Sequence, residues 1–307
     1  MSVEKQPLLV ICGPTGSGKT HWALELAQSW PLEIVSADSR QIYRRMDIGT
    51  AKATAAEQAQ VPHHLIDQID PDGEFSVAEF VVRAQSVIKQ IQQRRKIPCV
   101  VGGSGLYIKA LTGGLAPLPG ADDELRRELH QQERRERGRL HRELERVDPA
   151  AAQRIHPHNL VRIVRALEVY RLSGCPLSHQ QAEHRFGDSP YRVVQLAPEW
   201  QRAELYQRIE ERAGAMIQAG LIEEVEGLLR DYPSNLKAFQ TLGYQQVLRY
   251  LQGESDRERM LTEIQVATRR YAKRQLTWFR REKEIIWVDS PNKFGNVLQS
   301  IENFILQ

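Results

Sequence analysis

Up to about residue 115, short unbroken apolar runs alternate with stretches whose apolar residues recur every three or four positions. Runs too short for a helix and bounded by turn formers read as buried strands. This predicts strands over 8–12 (Leu8-Leu9-Val10-Ile11-Cys12), 33–37, 63–67 and 97–101. Between them, Ala23, Leu24, Leu26 and Ala27 share one helical face. Ser76-Val77-Ala78-Glu79 forms a capping box ahead of Phe80, Val81, Ala84, Val87, Ile88 and Ile91 at helical spacing. Strand and helix in alternation imply a parallel sheet with helices on both faces. The pattern changes after Pro117-Leu118-Pro119-Gly120: from Asp122 to Arg146 there are eight acids and eight basic residues, an exposed helical segment of mixed charge. Helical spacing continues from Leu160 to Leu172, Tyr191 to Leu196 restores a strand, and Arg202 to Gln218 a helix. The expected organisation is a core domain over 1–119, a helical insertion over 120–188, and a return to the core over 189–307, ending in basic helices.

Composition narrows the class without changing this picture. The chain has 307 residues, 41% hydrophobic and 26% charged, ordinary for a soluble globular protein. It lacks an apolar run of the roughly 18 residues a membrane span needs, and an N-terminal signal pattern, so the expectation is a cytoplasmic protein with no membrane partner. Cys12, Cys99 and Cys175 are far apart, two of them in predicted core strands, which argues against a disulfide framework or a cysteine-based zinc site. The histidines also lack metal-ligand spacing. Net charge is only +3, but seven basic residues and a single acid lie between Arg269 and Lys283, with Tyr271, Trp278 and Phe279 interleaved. Such a segment can hold a nucleic-acid backbone and stack on bases, or be a solvated helix whose aromatics face the core.

The most specific motif directly follows the first strand. Gly13-Pro14-Thr15-Gly16-Ser17-Gly18-Lys19-Thr20 is a complete G-x-x-x-x-G-K-[ST] phosphate-binding loop, which makes the expected fold α/β, with a sheet like that of the P-loop NTPases plus an all-helical insertion. Its glycines let backbone N–H groups turn inward, Lys19 reaches the outer phosphates, and the Thr20 hydroxyl can hold Mg2+. Ligands of such sheets bind beyond the carboxyl ends of the strands. Ser36 to Gln41 and Gly102-Gly103-Ser104-Gly105 should therefore converge on the loop. Asp38 could hold a metal through water or accept a proton. The strand ending at Val101 lacks the magnesium-binding acid usual in nucleoside triphosphatases, which weakens an ATPase reading. On the residues alone, a small-molecule kinase or ATPase and a non-catalytic RNA-binding protein both stay open.

Taken together, GPTGSGKT, SADSRQIYRRMDIGTAK from Ser36, PHHLID from Pro62, VGGSGLY from Val101, HPHNLVRIVRALEVY from His156, LGYQQV from Leu242 and RRYAKRQLTWFR from Arg269 resemble the tRNA dimethylallyltransferase family. The resemblance covers most of the chain. It implies transfer of a dimethylallyl group from dimethylallyl diphosphate to the N6 amine of the adenine 3′ to a tRNA anticodon, with an adenylate prenyltransferase as the sister activity. The loop residues Gly13, Pro14, Thr15, Gly16, Ser17, Gly18, Lys19 and Thr20 would then hold the donor diphosphate, with Mg2+ near Thr20. By the same resemblance Asp38 is the general base, Ser104 assists at the donor, Lys19 neutralises the leaving group, and Arg212 binds the diphosphate. The implied tRNA contacts are Asp38, Ser39, Arg40, Gln41 and Ser104 at the extruded base. On the insertion they are Arg126, Val161, Arg162, Ile163, Val164 and Arg165, with Arg162 and Arg165 on one helical face. Further along they are Gln240, Thr241, Leu242, Gly243, Tyr244 and Gln245, then Arg270 and Arg274. Ser104 stands where the family usually has threonine, keeping the hydroxyl, and Ala53 where proline is common. The zinc-finger extension of some eukaryotic members is absent, as in a bacterial-type enzyme. No long apolar heptad pattern calls for an obligate partner, so a monomer is expected.

Overall fold

The computed structural model describes residues 5–184, 189–289 and 301. Six strands, β1 (Gln6–Cys12), β2 (Leu32–Ser36), β3 (His63–His64), β4 (Ile97–Gly102), β5 (Tyr191–Glu199) and β6 (Ile285–Asp289), form one sheet in the order β3-β2-β4-β1-β5-β6. Every adjacent pair is parallel, with Cys12 opposite Gly102 and Ser36 opposite Val101. The apolar runs are continuous because both sheet faces are covered. Leu9, Ile11, Ile34, Cys99 and Val101 pack with Trp22, Ala23 and Leu26 on one side, and the intervening Leu8, Val10, Val35 and Val100 are just as buried. Full burial of each such side chain stabilises by roughly 1.5–3 kcal/mol.

The chain divides into two compact units, residues 1–112 with 190–307, and Gly113–Ser189. The first unit carries α1 (Lys19–Leu26), α2 (Ala55–Gln60), α3 (Val77–Gln93) and α4 (Gly105–Gly113) among its early strands. The capping box that opens α3 forms as the sequence predicts, Ser76 accepting from the Glu79 N–H and Glu79 from the Ser76 N–H. The second unit is all-helical: α5 (Asp123–Arg135), α6 (Arg139–Val147), α7 (Pro149–Arg154), α8 (Leu160–Ser173) and α9 (Leu177–His184), around Leu129, Leu140, Leu144, Ile163, Val164, Leu167 and Val169. The single charged segment expected from Asp122 is thus two helices. Glu133 accepts the backbone N–H groups of Gly138 and Leu140, fixing the break between them.

The first unit resumes with β5 and then α10 (Arg202–Gln218), α11 (Leu221–Leu229), α12 (Tyr244–Leu251) and α13 (Arg257–Phe279). These helices pack on the segment after β2 through Ile42, Tyr43, Met46, Ile217, Leu221, Val225, Phe239, Tyr244 and Ile264. The expected strand over 63–67 stops after two residues, because Leu65 and Asp67 take positive φ values of 61° and 53°. The Asp67 carboxylate meets the buried Lys52 ammonium at 2.6 Å. All three cysteines are free. Burial pushes the Cys12 thiol up to about 12 and raises Cys99 as well, whereas Cys175, between α8 and α9, is partly exposed.

Candidate active site

The three loops that follow β1, β2 and β4 open onto one cavity of about 960 Å³. In the phosphate loop Gly13, Gly16 and Gly18 have φ values of 135°, 82° and 86°, which side chains larger than hydrogen adopt only with strain. Three carbonyls of this loop accept from side chains. Pro14 O accepts from Lys19 Nζ at 2.7 Å and from Ser17 Oγ at 2.8 Å, Gly16 O from Arg208 Nε at 3.0 Å, and Ser17 O from Trp200 Nε1 at 2.9 Å. The Arg208 guanidinium lies 4.4 Å above the Trp200 ring, so a stacked pair braces the loop, and Arg208 also lines the cavity.

Inside the cavity, Lys19 and Arg212 are both drawn down by burial, Lys19 to about 8. Asp38 acts on both in the opposite sense, which sets its carboxylate among the cations. Arg212 Nη1 donates to Thr15 Oγ1 at 3.4 Å. The result is a positive, partly desolvated pocket suited to a phosphate-bearing ligand.

After β2, Asp38 Oδ1 accepts from the N–H groups of Arg40 (2.8 Å) and Gln41 (3.4 Å), closing a turn that fixes the carboxylate. Asp38, Ser39, Arg40 and Gln41 all line the cavity. Gln41 is also spent internally: its amide donates to Thr50 O and Ala51 O and accepts from Ser36 Oγ. The loop further on is anchored by Glu224, which accepts from the N–H groups of Asp47, Ile48 and Gly49 and from the Tyr244 hydroxyl.

At the end of β4, Gly102 and the following Gly103 line the cavity, whereas Ser104 is not among its lining residues, its Oγ accepting from Ser39 N–H at 3.1 Å. Its own hydroxyl proton is thereby left free to donate. A Cβ on Gly102 would lie 2.1 Å from Ala37 O, so only glycine lets these two strand ends approach.

The other expected contacts divide sharply by burial. Gln240, Thr241, Leu242, Gly243 and Arg274 line the cavity, and Gln245 and Arg270 are exposed. Tyr244 is fully buried, its phenol held up by burial and by Glu224, so it serves packing. In the helical unit Val161 is 78% exposed and Arg162 exposed, whereas the side chains of Ile163 and Val164 belong to the core. Arg126 and Arg165 converge on Glu168, at 2.8 and 2.6 Å. Arg165 also donates to Pro119 O. Being three apart on α8 therefore does not give Arg162 and Arg165 a common role.

Sequence reasoning missed Trp200, Arg208, Glu224 and Gln275. Polar Thr268, Tyr271 and Gln275 at helical spacing beside Ile264 were a readable signal for a helix face turned to a cavity, which these four residues line. Nothing in the sequence pointed to the Trp200–Arg208 stack.

The profile of the IPP transferase family matches residues 41–282. The chain belongs to the IPP transferase family. It is 50% identical over 303 residues to the tRNA dimethylallyltransferase of Geobacter metallireducens, spanning 98% of each chain. It is 48% identical over 304 residues to tRNA dimethylallyltransferase 1 of Syntrophotalea carbinolica, spanning 98% of this chain and 97% of that one. Among solved IPP transferases, the full-length tRNA isopentenylpyrophosphate transferase of Bacillus halodurans superposes with a TM-score of 0.73 at 38% identity, covering 98% and 97% of the two chains. A eukaryotic dimethylallyltransferase acting on tRNA superposes with a TM-score of 0.83 at 24% identity, covering 98% of this chain and 78% of that one, a likeness of fold.

Proposed function

We propose that this chain transfers a dimethylallyl group from dimethylallyl diphosphate to the exocyclic N6 of the adenine 3′ to the anticodon of tRNA, releasing diphosphate. The observation that carries this reading is the joint placement of a phosphate loop, two partly desolvated cations and one turn-fixed carboxylate around a cavity of about 960 Å³. A diphosphate alone needs far less room than this. A prenyl chain and an extruded base, both apolar-faced, account for the excess.

In the transfer, the bond from the donor carbon to diphosphate oxygen breaks as the bond from that carbon to N6 forms, and the N6 proton passes to Asp38. The adenine amine is a weak nucleophile, so proton removal during bond formation is worth arranging, typically 100- to 10,000-fold, that is ~10²–10⁴. Lys19 and Arg212 meet the charge that grows on the leaving diphosphate. The Thr20 hydroxyl lines the same cavity and makes no hydrogen bond to another described residue, an oxygen donor that fits Mg2+. Among the described residues no cluster of three His, Cys, Asp or Glu side chains could hold a metal, so such an ion would rely on diphosphate oxygens and water for most of its ligands. When bound it would supply further charge neutralisation on the diphosphate. Arg274, Arg270 and Arg162 would contact the RNA backbone, and the enzyme would act as a monomer in the cytoplasm. Among the described residues no helix is long and apolar enough to cross a membrane.

Incubation with labelled dimethylallyl diphosphate, Mg2+ and unmodified tRNA tests the reading. Label retained on the tRNA is expected. Hydrolysis of ATP without such transfer would overturn it in favour of a kinase or ATPase, and transfer to free AMP in preference to tRNA would point to the adenylate enzymes.

A further inference from the structure

Gln275, on α13, is only 7% exposed. A buried carboxamide is costly unless both of its ends are bonded, and here both ends go to backbone of residues that line the cavity. Its Oε1 accepts from the Thr15 N–H of the phosphate loop at 2.9 Å, and its Nε2 donates to Gly103 O in the turn after β4 at 2.8 Å. The two loops leave adjacent strands, β1 and β4, and no other side chain among the described residues bridges them by hydrogen bonds to both. The approach is tight, since a Cβ on Gly103 would lie 2.3 Å from the Gln275 Nε2.

The bridge continues in both directions. Thr15 is held by its backbone to Gln275 and by its hydroxyl to Arg212. On the other side, Gly103 precedes Ser104, whose Oγ takes the N–H of Ser39, the neighbour of Asp38. Hydrogen bonds joined by one peptide link, Gly103–Ser104, therefore connect the phosphate loop to the loop that carries the carboxylate. We propose that Gln275 is a positioning residue that sets the register between the leaving-group loop and the base-bearing loop. It contributes alignment of the reacting atoms rather than affinity for either substrate. The proposal rests on the transferase reading above.

The test uses Gln275→Met, which keeps length and volume but forms neither bond, and Gln275→Glu, which keeps the contact to Thr15 but cannot donate to Gly103. The second variant guards against the first failing to fold. Misalignment of reacting groups by about 1 Å costs on the order of 100-fold. The expected result is a fall in kcat of about 10- to 100-fold per folded molecule, with KM for tRNA within about twofold. Donor carbon released to water rather than transferred to N6 should rise as a share of turnover. A merely structural glutamine would lower the melting temperature but leave kcat per folded molecule and that partition unchanged, and this outcome overturns the proposal. The wild-type control separates the two readings. If it transfers label and the variants match it, the register role alone falls. If it transfers none, the transferase reading falls and the register role with it.

Discussion

In the helical unit, the guanidinium groups of Arg126 and Arg165 meet at Glu168, whose side chain is fully buried and also accepts the Asp122 N–H. At the strand ends of the other unit, Lys19 and Arg212 lie in the cavity with no carboxylate in ion-pair contact among the described residues, and Asp38 is the carboxylate that acts on both. The two arrangements use the same residue types for opposite ends. Charge buried with its partner is satisfied and holds the helices together. Cations drawn down by burial and bonded only to neutral oxygens retain a demand for an anion, and that demand is what a diphosphate would meet.

Breaking each arrangement should have separable consequences. The largest effect is expected for Asp38→Ala: turnover falls about 100-fold or more while tRNA binding, measured by filter retention, is nearly unchanged. Next, Glu168→Gln leaves two arginines facing a neutral amide inside the helical unit. Loss of one partner of a buried charge cluster costs roughly 3 kcal/mol, which should appear as faster amide exchange confined to α5 and α8 with donor kinetics intact. The pH profile sharpens the contrast further. The Lys19 ammonium is lowered from 10.5 to about 8, so its charge is present below pH 8 and lost as pH rises through that value. The kcat/KM for donor should fall about tenfold per pH unit above 8, and this limb should be missing in Lys19→Arg, whose charge persists. The smallest effect is expected on the exposed side of α8. Arg162→Glu should weaken tRNA binding about fivefold at low salt, with the difference shrinking as salt rises and donor affinity unchanged.

Much of the core was legible because it obeys local rules. The strands from Gln6 and Ile97 carry unbroken apolar runs, those from Leu32 and Tyr191 are apolar runs interrupted by Glu33 and by Arg192 and Gln195, and helix α10 begins and ends where its spacing predicts. The phosphate loop, Asp38 and the glycine turn were legible as chemistry and as neighbours, because parallel topology brings strand ends together. What escaped depended on partners distant in sequence. β3 is cut short by backbone strain tied to Lys52 and Asp67, an ion pair invisible to periodicity. β6, by contrast, is an apolar run, Ile285 to Val288, that the same local rule could have read, and it completes the sheet by pairing with β5. Arg165 and Arg162 look equivalent on a helical wheel, and the buried Glu168 and the Pro119 carbonyl distinguish them. Gln275, 260 residues from Thr15, is the one neutral amide in a segment whose pattern is dominated by basic residues.

The cysteines described above also make this protein convenient to watch. With Cys12 and Cys99 sealed in the sheet as un-ionised thiols, a maleimide dye should react with Cys175 alone and so mark the helical unit once per molecule. Energy transfer from that single dye to a fluorophore on an RNA hairpin would then time the arrival of the polynucleotide at this unit, with no cysteine removed and no tag added.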